Sequence, residues 1–238
     1  MPSVRIVLSL DSWPALRDFA GDDRSDLIAA VSLAELAGVD ALRLSIQEEG
    51  GPVRESDVES LRRSARSFEL RMPVSQSLLE VPLVARPDRV VLVADRIEAR
   101  GPGLPVDARV EGAALTSVLR SLEEAGLRAA LRVAPDLEAV RAAHGQGVRE
   151  VEIFTGHLVD LPEAERRKAL VALGDATRLA SKLRLGVALA GKLDDRNVGE
   201  LLEAAPAVER VVFGRSLARR ALLVGLDRAI RDFHGRMH

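Results

Sequence analysis

Short apolar segments alternate with longer amphipathic ones eight times along this chain, and this alternation constrains the fold more than any other feature. The short segments are rich in Val, Ile and Leu, which is typical of parallel strands covered on their outer face. The predicted strands are Val4–Leu10, Ala41–Ile46, Leu70–Ser75, Arg89–Ala94, Arg128–Ala134, Glu150–Thr155, Arg184–Ala190 and Glu209–Gly214. The sequence therefore predicts an α/β protein.

The segments between the strands have the 3.6-residue apolar period of helices that pack one face on a sheet. Gly38, Gly126 and Gly147 stand where helices are expected to end, and Asp136 stands where one is expected to begin. The predicted helices with the clearest period are Ser25–Leu36, Glu111–Ala125, Glu163–Leu183 and Leu217–Phe233. Strand–helix units thus follow one another along the chain.

Eight such units fit two architectures, a closed barrel and an open doubly wound sheet. An open sheet normally carries a nucleotide-binding glycine loop after its first strand. Here the first strand runs into Asp11-Ser12-Trp13-Pro14, which holds no glycine. The eight units and the length of 238 residues favour a (β/α)8 TIM barrel that spans residues 1–238 as a single domain.

The connection after the fourth predicted strand, residues 95–110, is unusually long for a compact domain. It follows a strand, so it belongs to the end of the barrel where such enzymes place their active sites. We interpret it as a candidate lid, with a surface insertion as the alternative.

Composition excludes several classes of protein and of site. The net charge is −2, which argues against nucleic acid and acidic membranes as partners, and the absence of cysteine excludes thiolate metal sites and cysteine nucleophiles. The four histidines have no metal-ligand spacing, so no metal is expected. With 3% aromatic residues, the core is expected to be aliphatic, as is common in barrels. No targeting or membrane-spanning segment is visible, and a cytoplasmic location is expected.

A series of segments in a fixed order resembles one enzyme family, the pyridoxine 5'-phosphate synthases of vitamin B6 biosynthesis, over nearly the whole chain. The segments that carry the resemblance are Leu8–Asp11, Ala34–Asp40, Glu55–Val58, Leu70–Met72, Glu150–Gly156, Phe213–Ser216 and Gly225–Leu226. The resemblance implies condensation of 1-deoxy-D-xylulose 5-phosphate with an amino-acetone phosphate, by acid–base groups and phosphate clamps under a lid. It implies no cofactor, and it implies homo-oligomers built through the outer helices, for which Leu222, Leu223 and Val224 are candidate contacts.

The departures from the family pattern are at the positions where the resemblance implies catalytic and phosphate-binding residues. Where the resemblance implies a general-base histidine, an acid–base glutamate and a proton-donating histidine, this chain has Ser45, Arg71 and Gly191. Gln47 stands for a phosphate-binding arginine, and Phe154 stands for a further histidine. Loss of one acid–base group typically lowers a rate by ~10²–10⁴, so negligible synthesis of pyridoxine 5'-phosphate is expected.

The segment after the eighth predicted strand is the best-preserved candidate binding site. Gly214, Arg215 and Ser216 open a helix, where backbone N–H groups and the helix dipole favour an anion such as phosphate. Lys192 is a second candidate anion contact, with a salt bridge to Asp194 or Asp195 as the alternative. The remaining candidate binding positions are Ser9, Asp11, Gln47, Glu152 and Thr155.

Arg71 is expected to pair with Asp11 or Glu152, because a buried charge needs a partner. Such a pair either binds a ligand or fills an inactive site. Three functions stay open: a diverged barrel that binds a small phosphorylated metabolite, a catalytically inert scaffold, and an unusual but active synthase. Glu48 and Glu49 are expected to be solvated carboxylates, so no metal site is assigned to them.

Overall fold

A computed structural model of the protein describes residues 4–20, 26–48, 51–94 and 103–237. Its eight strands are all parallel and close into a barrel in chain order. The strands are β1 (Arg5–Ser9), β2 (Ala41–Ser45), β3 (Phe68–Pro73), β4 (Arg89–Val93), β5 (Ala129–Val133), β6 (Glu150–Phe154), β7 (Gly186–Ala190) and β8 (Arg210–Phe213). The predicted (β/α)8 barrel is confirmed.

The helices surround the barrel, and a short 3₁₀ helix, Leu158–Asp160, follows β6. They are α1 (Ser12–Ala20), α2 (Leu27–Leu36), α3 (Glu55–Ser64), α4 (Glu80–Ala85), α5 (Gly112–Glu124), α6 (Leu137–Gly145), α7 (Glu163–Lys182), α8 (Val198–Ala204), α9 (Arg215–Val224) and α10 (Leu226–His234). Asp136 accepts a hydrogen bond from Ala139 N at 2.8 Å and caps α6, as its position predicts.

Among the predicted boundaries that were wrong, two have a reason in the backbone conformation. The single helix predicted over Leu217–Phe233 is two helices, because Gly225 has φ +84° and interrupts the chain between α9 and α10. Strand β7 begins at Gly186, because Arg184 has φ +60° and its N–H donates to Ser181 O in the turn after α7.

The main apolar core lies between the strands and the helices, where residues such as Leu8, Leu44 and Leu131 are fully buried. Inside the barrel the apolar side chains are few and small, and Val7, Ala41, Ala190 and Val212 form a separate cluster. Most of the remaining interior is occupied by arginine and glutamate. The predicted aliphatic core is confirmed around the strands, whereas the barrel interior is largely charged, and this charged interior leads directly to the candidate site.

Candidate functional site

The mouth of the barrel, which we define as its C-terminal end, brings together the residues that end β1, β2 and β3. Ser45 and Arg71 are paired in register, and Ser9 ends β1. Asp11, two residues after Ser9, accepts hydrogen bonds from the Ser9 hydroxyl at 2.8 Å and from the Ser45 hydroxyl and amide at 2.7 Å each. Asp11 is thus a common acceptor for the ends of neighbouring strands.

Arg71 completes this group, because its Nη2 lies 3.3 Å from Asp11 Oδ2. Burial lowers the pKa of Arg71, and although Asp11 opposes the shift, Arg132 and Arg43 lower the pKa further, to about 10. The side chain therefore remains a cation at neutral pH and cannot act as a general base. The predicted pair with Asp11 is confirmed.

Below Arg71, two arginines enclose Glu152, the carboxylate that the resemblance marks as kept. Arg43 Nη1 lies 2.6 Å from Glu152 Oε2, and Arg132 donates to Oε1 from Nε at 2.8 Å and from Nη2 at 2.6 Å. Burial alone would raise the pKa of Glu152, but the two arginines lower it to about 2. At 1% exposure, Glu152 contacts arginines and is shielded from solvent.

The ion pairs continue to the lower end of the barrel. Glu69 accepts from Arg43 at 2.6 Å and pairs with Arg89. Arg89 also donates to both oxygens of Glu150, at 2.6 and 2.9 Å, and Glu150 pairs with Arg210. Buried charges require partners of this kind. We call this run of alternating charges, from Arg210 through Glu152 to Arg132, the interior ion-pair chain.

Phe154 fills the opposite side of the mouth, beside two glycines. A Cβ atom at Gly191 would lie 2.6 Å from Cε2 of the Phe154 ring, and one at Gly156 would also overlap that ring. The Arg132 guanidinium lies 5.7 Å from the ring centroid, and His157 stacks on the ring at 6.1 Å. Burial lowers the pKa of His157. The ring therefore occupies the space that a side chain at residue 191 would need.

The predicted anion site lies at the start of α9. Gly214 precedes the helix, and a Cβ at Gly214 would lie 3.4 Å from the Ser9 Cβ, so this helix start adjoins the Asp11 group. The N–H groups of the first helical turn have no acceptor within their own helix. The Ser216 hydroxyl donates to Leu193 O, and Arg215 is exposed. Backbone donors thus lie at one edge of the mouth, and the exposed Arg215 is the first residue of the helix.

Two other candidate residues, Lys192 and Thr155, have contacts that the sequence did not predict. Lys192 pairs with Asp160, not with Asp194 or Asp195, because Asp160 lies in the 3₁₀ helix after β6, next to β7. The buried Thr155 hydroxyl donates to Gly191 O at 2.7 Å and so joins the ends of β6 and β7. These contacts occupy side chains that were expected to face a ligand.

Beyond β2, Gln47 is half-buried and lies against Gly51. Glu48 accepts hydrogen bonds from the Ser75 and Ser77 hydroxyls beyond β3, and these bonds lower its pKa. The expectation that Glu48 is only solvated was wrong. Glu49 lies outside the described residues.

The candidate lid at 95–110 is described only from Gly103 onward. Val106 N donates to Arg132 O at 2.8 Å, and Arg132 Nη1 donates to Gly103 O at 2.9 Å, so this part is attached to β5. Within the described ranges, no three His, Asp or Glu side chains form a group that could hold a metal ion. None of the described helices is long and apolar enough to cross a membrane.

Comparison with known proteins agrees with the predicted resemblance. Residues 6–238 match the family model described as "Pyridoxal phosphate biosynthesis protein PdxJ". A protein of Pelobacter propionicus named pyridoxine 5'-phosphate synthase is 29% identical over 230 residues, which are 96% of each chain. A protein of the same name from Citrifermentans bemidjiense is 30% identical over 231 residues, again 96% of each chain.

Solved structures with the same fold are more distant in sequence. An aldolase described as 4-hydroxy-2-oxoglutarate aldolase/2-deydro-3-deoxyphosphogluconate aldolase from TTHB1 superposes with a TM-score of 0.63 at 16% identity, covering 99% of this chain and 96% of the other. Thiamine phosphate pyrophosphorylase from Pyrococcus furiosus gives 0.58 at 16% identity, covering 98% and 95%. These likenesses concern the fold alone.

Proposed function

Because the chain belongs to the family of the pyridoxal phosphate biosynthesis protein PdxJ, we propose that it is a diverged member that binds a small phosphorylated metabolite and does not make pyridoxine 5'-phosphate. The proposal rests on the residues that occupy the three positions where the resemblance implies acid–base groups. Ser45 and Arg71 both contact Asp11, and residue 191 has no side chain and no space for one. None of these groups can exchange a proton near neutral pH as histidine does.

An assay for synthesis tests the first half of the proposal. Purified protein is incubated with 1-deoxy-D-xylulose 5-phosphate and amino-acetone phosphate, and pyridoxine 5'-phosphate is quantified beside a Pelobacter propionicus relative. We expect product formation at least ~10⁴-fold slower than in the relative, because several groups worth ~10²–10⁴ each are replaced. A rate comparable to that of the relative would identify an active synthase and refute the proposal.

The geometry at the start of α9 supports the second half of the proposal, the binding of a phosphorylated ligand. The site combines N–H donors, a helix dipole and Arg215, and barrel enzymes frequently bind phosphate near their last two strands. Thermal unfolding with inorganic phosphate and with glycerol 3-phosphate tests it, because a ligand at 100 times its Kd adds about 2.7 kcal/mol of stability. We expect stabilisation of the native protein by both compounds.

The variant Arg215→Glu should abolish that stabilisation, since it places a carboxylate at the anion site. A glutamate in the first turn of a helix is itself favourable, so lost binding would not reflect an unfolded helix. Arg219→Glu makes the same charge reversal on an exposed side chain one turn later and is the matched control. If phosphate does not stabilise the native protein, the result would favour an inert scaffold. The contact of Arg71 with Asp11 and the position of Phe154 in the mouth are consistent with that alternative.

A homo-oligomer in the cytoplasm is part of the same proposal. Leu222 and Leu223 at the end of α9 are each 77% exposed, and Val224 is 36% exposed. Contiguous exposed apolar side chains of this size are typical of contact surfaces. Light scattering on the native protein and on a Leu222→Glu/Leu223→Glu variant tests this, with an oligomer expected only for the native protein.

A further inference from the structure

A pocket of about 120 Å³ lies outside the barrel, between β5, α6 and the segment Pro105–Arg109 that precedes α5. Leu131 and Val133 of β5 contribute to its lining. Because side chains alternate along a strand, these two face the helices, whereas the intervening Arg132 faces the barrel interior. This pocket, which we call the α6 pocket, is therefore separate from the mouth and from the interior ion-pair chain.

The α6 pocket exists because α6 presents small side chains to β5. Ala139, Ala142 and Ala143 line it from one face of the helix. The buried side chains of the preceding helix, α5, are by contrast Leu115, Val118 and Leu122. Protein interiors are close-packed, so an apolar space of this size leaves its walls without contacts. A cavity of roughly 150 Å³ holds benzene, and the four carbons of a leucine side chain are smaller.

The rim of the α6 pocket is negatively charged. Its lining includes four charged residues, which are Asp107, Arg109, Asp136 and Glu138. Asp107 and Arg109 pair with each other, and Asp136 caps α6. Glu138 is 79% exposed and lies 3.5 Å from Arg109, so it is the rim carboxylate most accessible to a partner. The pocket thus suits an apolar side chain that stands beside a cation.

The end of α9 presents such a side chain. Leu222 and Leu223 are each 77% exposed, and the helix contains three arginines and no carboxylate. Arg219 is exposed and precedes the two leucines by three and four residues, so it lies on the same face of the helix. The end of α9 is therefore apolar and positively charged, and it complements the α6 pocket in both respects.

We infer that the chain binds a second copy of itself head to tail, with the exposed leucines of α9 in the α6 pocket of the next copy and Arg219 beside its Glu138. The α6 pocket lies at β5, whereas α9 follows β8, which pairs with β7 and β1. Each copy therefore inserts one α9 and receives another, and the contact is heterologous. This inference rests on the homo-oligomer of the proposed function and specifies its interface.

Filling the α6 pocket tests the inference. In Ala142→Leu the pocket is occupied from within, and we expect the Kd of self-association in analytical ultracentrifugation to rise at least ~10-fold, because the leucine of the partner is no longer buried. Ala172→Leu makes the same change on the exposed face of α7 and should leave the Kd unchanged. Thermal unfolding verifies that both variants fold. An unchanged Kd in folded Ala142→Leu overturns the inference.

Reversal of the two charges provides an independent test. Arg219→Glu and Glu138→Arg should each weaken self-association about 2- to 5-fold, as is typical of exposed ion pairs. The combined variant should recover most of the native affinity, whereas additive losses contradict a contact between the two residues. Arg219→Glu should still be stabilised by phosphate, because Arg215 keeps its charge.

The absence of cysteine from the chain allows the interface to be cross-linked selectively. In Arg219→Cys/Glu138→Cys, both leucines remain, and a short bis-maleimide should join chains in series into products longer than dimers. Neither single variant should cross-link. Efficient dimers of Arg219→Cys alone would show that two copies of α9 meet each other, which overturns the inference even if Ala142→Leu fails to fold.

The inference and the proposed homo-oligomer can fail separately. If the native protein is an oligomer that depends on Leu222 and Leu223 but not on Ala142 or Glu138, only the inference fails. If the native protein is a monomer, the homo-oligomer fails and the inference with it. Stabilisation by phosphate is measured independently of both.

Discussion

The lower part of the barrel interior and the mouth both contain charged residues but differ in the contacts that fill them. In the interior ion-pair chain, Glu69, Glu150 and Glu152 each contact two arginines, and Arg89 reaches both oxygens of Glu150. At the mouth, Arg71 pairs with Asp11 at 3.3 Å, and Phe154 fills space beside glycines. The lower interior is thus filled by ion pairs alone, whereas the mouth holds the positions at which the sequence analysis expects departures from the family pattern.

The largest expected effect comes from breaking the interior ion-pair chain. Glu152→Gln leaves Arg43 and Arg132 buried without their shared charge, and we expect a loss of about 3–5 kcal/mol in the free energy of unfolding. Urea unfolding measures this. Glu209→Gln is the control, because Glu209 and its partner Arg5 are both about half exposed, and a change within about 0.5 kcal/mol is expected there. Equal effects would remove the distinction between interior and surface pairs.

Acid should destabilise the protein through Glu152 in the barrel interior. Folded Glu152 keeps its charge down to a pKa of about 2, whereas the ordinary value is 4.5. The unfolded chain therefore takes up a proton first as the pH falls, and stability decreases between about pH 4.5 and 2, by up to roughly 3 kcal/mol. Unfolding measured across this range should show a shallower decline for Glu152→Gln. An identical slope would exclude Glu152 as a cause.

A smaller effect tests the packing of Phe154. Gly191→Ala places a Cβ against the ring at a residue with φ +107°, and we expect a cost of about 1–3 kcal/mol above that of Gly147→Ala. Gly147 also has positive φ, at +80°, but a Cβ there would meet nothing within 4 Å, so it measures backbone strain alone. Combination with Phe154→Ala should recover at least ~1 kcal/mol. Additive costs would show that the ring does not exclude a side chain at residue 191.

The smallest effect is expected at the exposed pair of Lys192 and Asp160, whose side chains are 45% and 68% exposed. Exposed ion pairs contribute about 0–1 kcal/mol, so Lys192→Met should change thermal unfolding only slightly. If the same variant weakens glycerol 3-phosphate binding, Lys192 leaves Asp160 to contact the ligand. If binding is unaffected, the pair is a surface contact only.

The architecture was predictable because parallel strands covered by helices are almost continuously apolar. The boundary of β3 was not, since Glu69 interrupts the apolar run, yet this residue is buried in the strand by its contacts with Arg43 and Arg89. A charged residue is usually assumed to lie on the surface, and under this assumption a buried charged residue in a strand is missed. The signal was nevertheless present as charges two residues apart, Glu69 with Arg71 and Glu150 with Glu152.

The contacts of the candidate site were predictable where both partners lie at the same end of nearby strands. The pair of Arg71 and Asp11 was expected because both lie at the C-terminal ends of strands, β3 and β1, that flank β2. The partner of Lys192 was not, since Asp160 is 32 residues away and reaches it only through the turn after β6. Likewise, no sequence pattern shows that the ring of Phe154 needs glycine at residue 191.

The contact between Phe154 and Gly191 couples substitutions at the two positions. A Cβ atom at residue 191 would overlap the phenylalanine ring and would also lie 2.9 Å from Gly156 N, at a residue with φ +107°. A side chain at residue 191 therefore requires the ring and the adjacent backbone to move. The choice of residue at 191 thus depends on the residue at 154.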